Sequence, residues 1–403
     1  MANSNFRKVS QKILDLLNIA TDSMCSDVLL LKSLEINELD LRQILKMIVI
    51  EYMAETNHYL QNPQKLDVIN LTGEKTIKRK IFGNSSKELY CVIPIKNINE
   101  ADVQTMLHSI IGNLKGLDFG IVVYSNKIHP CFSVLDEHGI DHVVILDESE
   151  FSLPTAYNSC IDYLKKELGF KTGPIMFMDD DAYIVGIQKK QILENLTLLK
   201  TNSKILAVSG HCYDTREISN YFYQSVIITN RYLFNKNNYK PYCHGGAAMF
   251  IDICNFPEEG LPLNGLGGIN LIIGLINKID YKNIKNKDDW FLINNPDLKV
   301  FHRIKDNIIS WTATYFVYNS AWAIGLNKLS IERRSLWNNM LNRGSKDRVS
   351  SLVTLFNQTK DRKGRAFILG NILLTRYYKP KINEHFNYAD FKDLLVRKHV
   401  NLI

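Results

Sequence analysis

The seven cysteines, Cys25, Cys91, Cys131, Cys160, Cys212, Cys243 and Cys254, are odd in number and scattered, and no two stand in a C-x-x-C pair. That spacing argues for reduced thiols in a cytoplasmic protein rather than a disulfide framework. No apolar run reaches the roughly eighteen residues that a membrane helix needs, so no membrane span is expected. The opening stretch MANSNFRKVSQKILDLLN holds no apolar h-region, and a secretory signal is not expected. There is no basic stripe interleaved with aromatics and no zinc-finger or helix-turn-helix spacing, which speaks against nucleic acid as a partner. Internal repeats and low-complexity tracts are absent too.

What is present is an ordinary globular composition, 45% hydrophobic and 23% charged over 403 residues. That length suffices for one large domain or two smaller ones with a substantial core. The net charge of +7 comes from lysines spread along the chain rather than blocked, and it suits an anionic ligand or an acidic membrane surface.

The texture changes twice along the chain. Residues 1 to 87 hold two stretches with apolar residues at i, i+3, i+4 and i+7, FRKVSQKILDLLNIA and LDLRQILKMIVIEYMAE, followed by a polar segment at 73–88 that reads as a connector. From 88 to 305 short apolar runs alternate with helical patterns. LYCVIPI (89–95), FGIVVYS (119–125), HVVILD (142–147), PIMFMD (174–179) and KILAVSG (204–210) read as buried strands. Between them lie EADVQTMLHSIIGNLK, TAYNSCIDYLKKELG and QKKQILENLTLLKTN, each amphipathic at helical period. This alternation predicts an α/β domain with a mostly parallel sheet covered on both faces. Residues 306–403 return to helical patterns.

The fourth of those strands ends in Asp179, Asp180 and Asp181. Adjacent carboxylates repel one another and resist desolvation, so a core would not select them. In an open α/β sheet, ligands bind beyond the carboxyl ends of the strands, which is where this triplet falls. Alternate residues of an extended segment face the same way, so Asp179 and Asp181 together offer the oxygen ligands a hard divalent cation takes. A solvated turn capping the next helix explains the same residues.

Strand, D-x-D, strand at the fourth position of an alternating half resembles the nucleotide-sugar-dependent glycosyltransferases of the GT-A fold, in the family-2-like and polypeptide GalNAc-transferase-like branch. CVIPIKN (91–97) is similar to the family's first strand, and the resemblance puts Pro94, Lys96 and Asn97 under the nucleotide. TAYNSCIDY (155–163) resembles the helix start before the D-x-D strand, which brings in Asn158, with Tyr157 where the family has Arg. CHGGAAMFI (243–251) resembles the glycine-bearing strand near donor and acceptor, at Gly245 and Gly246. FLINNPDLKVFHR (291–303) resembles the late strand that ends in a histidine ligand, His302, followed by Arg303. The resemblance therefore implies a metal-dependent transferase moving a hexose or N-acetylhexosamine from a nucleotide sugar, UDP-linked by preference. Asp179, Asp181 and His302 would hold Mn²⁺ or Mg²⁺, and Asp179, Asp180 and Arg303 would contact the donor.

Two departures from the family pattern bear on mechanism. The aspartate that usually reads uracil at the end of the second strand is replaced by Tyr124, Ser125 and Asn126, and the expected acidic pair in GLGGINL falls on Ile269 and Asn270. KDDWFL (287–292) offers Asp288 and Asp289 instead, since transfer with inversion needs a carboxylate to take the acceptor proton. The same two residues could form a hairpin turn. Two other readings stay open: a nucleotidyltransferase, although the first strand lacks a following G-x-G-T/S-R phosphate loop, and a non-catalytic module that binds a sugar or a partner.

Overall fold

The structure, a computed structural model of the chain, describes residues 24–47, 75–81, 87–96, 99–148, 153–213, 248–261, 267–279, 292–302, 329–333, 349–350, 352–360 and 368–370, with single positions 15, 22, 50, 365 and 372. The elements, from the N-terminus, are α1 (Val28–Ser33), β1 (Lys75–Lys80), β2 (Leu89–Ile95), α2 (Glu100–Leu114), β3 (Phe119–Ser125), α3 (Ser133–Glu137), β4 (Asp141–Asp147), α4 (Leu153–Lys166), β5 (Pro174–Phe177), β6 (Ala182–Ile184), α5 (Lys189–Thr201), β7 (Ala207–Tyr213), β8 (Met249–Asp252), α6 (Gly267–Asn277) and β9 (Leu292–His302). All five expected strands and the three helices between them form.

Among the described residues the strands make one sheet in the order β1-β4-β3-β2-β5-β8-β7-β9-β6. Strands β2, β3, β4, β5, β7 and β9 point one way, and β1, β6 and β8 run against them. The sheet is therefore mixed but largely parallel. β2, β3 and β4 are buried at every position, as strands covered on both faces must be. Their side chains alternate between two cores. Tyr90, Val92, Val122, Tyr124 and Phe177 face one core, which contains α4, α6 and helical residues from both ends of the chain, among them Leu30, Leu45, Leu352 and Phe356. Cys91, Ile93, Val123 and Met176 face the other, which contains α2, α3 and α5. An Asn357 side-chain N–H donates to the Ser33 carbonyl at 2.9 Å and links the two terminal segments. Cys25, Cys91, Cys131, Cys160 and Cys254 are free thiols. No helix among the described residues is long and apolar enough to cross a membrane.

One segment departs from the sequence reading. Residues 75–80, KTIKRK, were expected within a connector but form β1, an edge strand antiparallel to β4. No hydrophobic alternation marks it, because all six side chains are exposed; backbone pairing with β4 holds it, helped by Lys75 Nζ to Ser159 Oγ at 2.9 Å and Lys80 Nζ to Asp136 Oδ1 at 2.7 Å. A run of lysine and arginine on a sheet edge also discourages further strand addition.

Tight packing at Gly120 fixes how β2 and β3 meet. Tyr90 is its register partner, and a Cβ on Gly120 would lie 2.6 Å from the Tyr90 ring. That ring is trapped on its other side by Phe170, edge-on with centroids 4.8 Å apart. Gly120→Ala is expected to destabilise the fold by about 1–3 kcal/mol, the usual scale for overpacking. Denaturant unfolding measures this, and an unchanged midpoint would mean that the ring is free to move.

Candidate metal centre

β5 ends at Phe177, and the Met178 N–H donates to the Val92 carbonyl at 3.2 Å, so the chain is still held to β2 as it leaves the sheet. It then reverses: the Ala182 N–H returns to the Asp179 carbonyl at 3.1 Å, with the three aspartates at the turn. β6 follows at once and pairs antiparallel with the last residues of β9, Ala182 opposite His302, Tyr183 opposite Phe301 and Ile184 opposite Val300. The Tyr183 and Phe301 rings stack with centroids 4.6 Å apart and reinforce that register. A bulge makes the approach possible. Gly210 of β7 pairs with Asn295, but His211 pairs with Lys299, so residues 296–298 have no β7 partner. Pro296 sits there, where a missing N–H is tolerated. Leu298, within the bulge, and Val300, beyond it, pack in the same core as α2.

The result is a cluster at the carboxyl edge of the sheet. His302 Nε2 lies 3.4 Å from Asp179 Oδ2 and 3.5 Å from Asp181 Oδ1. One ligand atom from each of the three residues falls within 4.8 Å of the others. Neighbouring ligands of an octahedral cation with bonds of about 2.0–2.6 Å lie about 2.8–3.7 Å apart, so the spacing suits one hard or borderline ion. Two carboxylates and an imidazole are donors such an ion accepts. The side chains are 22%, 23% and 26% exposed, open enough for a ligand to complete the shell.

Without a cation the arrangement is electrostatically costly. Burial raises the Asp179 carboxyl above its ordinary range, and contact with His302 only partly opposes this. Asp180 is raised further, first by burial and then by the charge of Asp181, while a hydrogen bond from Lys96 pulls the other way. That bond runs from the Lys96 backbone N–H to Asp180 Oδ2 at 2.8 Å and ties the turn to the end of β2. Burial lowers the Lys96 side chain, while the nearby Asp180 favours its charged form.

Other expected residues fall at the same edge. Pro94 is buried near the end of β2, past the last rung with β5, where the N–H that proline lacks is not needed for the ladder. At the end of β3, Ser125 and Asn126 are buried, and the Tyr124 hydroxyl donates to Asp147 Oδ2 at 2.5 Å. An acid therefore does stand at this edge, on β4 rather than β3. Asp147 closes the run HVVILD, and its position at a strand end was the signal available in sequence. Asn158 accepts from the Leu261 N–H at 2.7 Å and donates to the Leu261 carbonyl at 2.9 Å, which makes it a clamp on the 260–261 loop. GGIN belongs to the first turns of α6, with Asn270 partly exposed. Asn97, Gly245, Gly246, Asp288, Asp289 and Arg303 lie outside the described residues.

No protein-family model and no curated protein matches the sequence. Among solved structures, the chain is similar to the mannosyltransferase PcManGT from Pyrobaculum calidifontis in complex with GDP-Man and Mn²⁺. Identity is 11% and the TM-score 0.42, over 88% of this chain and 97% of that one. It is also similar to S. aureus TarS 1–349, with 11% identity and a TM-score of 0.39 over 72% and 93% of the two chains. A longer TarS structure gives 10% identity and 0.39 over 72% and 54%.

The raised carboxyl of Asp180 has a testable sign. The folded chain holds that proton to higher pH than the unfolded chain, so folding loses stability as the pH climbs above the ordinary aspartate range near about 3.9. Asp180→Asn keeps an acceptor for the Lys96 N–H and removes the charge. In EDTA at pH 7 it is expected to raise the melting temperature, with the gain shrinking as the pH falls toward that range. A lower melting temperature at pH 7 would contradict this account of the turn.

Proposed function

We propose that the chain is a glycosyltransferase that moves a sugar from a nucleotide-diphosphate sugar to an acceptor hydroxyl, with Mn²⁺ or Mg²⁺ held by Asp179, Asp181 and His302. The observation that carries this reading is the convergence of those three side chains at the carboxyl edge of a largely parallel sheet, where open α/β sheets receive their ligands. The order of motifs around them supports it. When bound, the cation supplies charge that stabilises a departing diphosphate.

The chain's own residues divide the remaining work. Asp180, bonded to the backbone of Lys96, stiffens the turn that carries both carboxylate ligands. The Lys96 side chain, disfavoured as a cation by burial, gains from an anionic partner, and a diphosphate is one. Pro94, Asn97, Ser125 and Asn126 mark the strand ends over which the nucleoside would lie, with UDP the favoured base carrier. Arg303 would add a forked donor to the phosphates, and Gly245 and Gly246 would let backbone approach the sugar. In the transfer the acceptor oxygen bonds to the anomeric carbon as the sugar–phosphate bond breaks. The acceptor proton passes to Asp288 or Asp289. Residues 88–305 are proposed as the transferase unit and both flanking helical regions as walls of the acceptor side or an oligomer contact, in a protein of the cytoplasm.

Calorimetric titration with UDP should give appreciably tighter binding with Mn²⁺ than with EDTA, and Asp181→Asn should remove most of that difference while the fold stays intact. Equal affinity in both buffers would exclude the metal role. Either Asp288→Asn or Asp289→Asn should lower turnover at least about a hundredfold, the scale of losing a general base. Nucleotide affinity should barely change in these variants. Near-normal turnover in both would assign the proton transfer elsewhere.

A further inference from the structure

β6 is only three residues long, yet it fixes the acidic turn against His302. Its rungs with β9 end at Ile184 opposite Val300, after which the chain turns through Gly186 toward α5. A next rung would pair Val185 with Lys299. Half of it forms, since the Val185 N–H donates to the Lys299 carbonyl at 3.0 Å. The Lys299 N–H, which would meet the Val185 carbonyl in a complete rung, donates instead to Gln188 Oε1 at 2.7 Å. Gln188 Nε2 then donates to the Val185 carbonyl at 2.6 Å and to the Lys299 carbonyl at 2.8 Å. The side-chain amide thus fills the gap in the ladder as a peptide unit would, presenting an acceptor to one strand and donors to both.

This amide is itself held from behind. Gln188 is buried, and its backbone N–H donates to Asn113 Oδ1 at 2.5 Å. Asn113 Nδ2 donates to the Ser109 and Gly186 carbonyls, each at 2.9 Å. Ser109 Oγ accepts the Ile184 N–H at 3.2 Å. The end of β6 away from the aspartates is therefore fastened to α2 and to β9 together. Side chains on a strand change face at every residue, so the register with Ala182 opposite His302 is the one that gathers the three ligand atoms. We infer that Gln188 is a positioning residue for the Asp179–Asp181–His302 centre: it completes the last rung of the β6–β9 pair and so keeps His302 in register with the acidic turn. The role rests on the metal reading above.

Gln188→Met keeps the length of the side chain and removes all three amide hydrogen bonds. The expected result is Mn²⁺ affinity at least about tenfold weaker by titration calorimetry, well below the melting temperature. Hydrogen exchange should speed up at the amides of 182–185 and 299–302, while β2 and β3 keep their protection. Val122→Ala, a cavity in the opposite core, serves as a control for general destabilisation and is expected to leave Mn²⁺ affinity unchanged. If Gln188→Met binds Mn²⁺ like the unaltered chain, or if Val122→Ala weakens binding equally, the positioning role is overturned. An unaltered chain that fails to bind Mn²⁺ overturns the metal reading itself, and the positioning role with it.

Discussion

Asp179, Asp180 and Asp181 share a half-buried corner although burial and the neighbouring carboxylate of Asp181 raise the cost of ionising Asp179 and Asp180. The constraint that holds them there is the antiparallel pairing of β6 with the end of β9, Ala182 opposite His302. Without it the triplet would be a solvated turn, free to spread its charges apart. With it, two carboxylates and an imidazole converge to spacings of 3.4 and 3.5 Å. Such convergence lowers stability until something cationic arrives, the kind of local cost that sites of function commonly carry.

The rest of the architecture can be understood as support for that pairing. β2 and β5 anchor the turn from one side, through the Met178 N–H to Val92 and the Lys96 N–H to Asp180. The bulge at 296–298 shifts the register of β9 against β7, whose ladder resumes at Lys299, and Leu298 and Val300 pack in the core around α2. The two cores make the scaffold rigid on both faces, so the turn is presented by strands rather than by a long loop. A site built this way needs little rearrangement to receive its ligand.

Much of this was legible in sequence because buried strands carry their own signature. LYCVIPI, FGIVVYS and HVVILD are continuous apolar runs, and each is a fully buried strand within a residue of the expected bounds. The metal candidates were legible for a related reason: Asp179 and Asp181 end one such run, and His302 ends another. What escaped is what depends on partners far along the chain. KTIKRK has no hydrophobic period to read, and only its backbone pairing with β4 makes it a strand. β6, three residues long, is too short for any period to emerge. Gln188 and Lys299 are 111 residues apart, and no local pattern announces that an amide side chain will complete their ladder. The acid on β4, Asp147, meets Tyr124 only in the folded sheet, so nothing in the run that ends β3 announces it.

The most direct test of the account is an anomalous difference map from crystals grown with MnCl₂ and UDP. The account predicts a manganese peak within about 2.0–2.6 Å of Asp179, Asp181 and His302 ligand atoms, with a diphosphate oxygen completing the shell. Nucleotide bound at this edge with no peak among the three residues, or a peak held by other side chains, would contradict it.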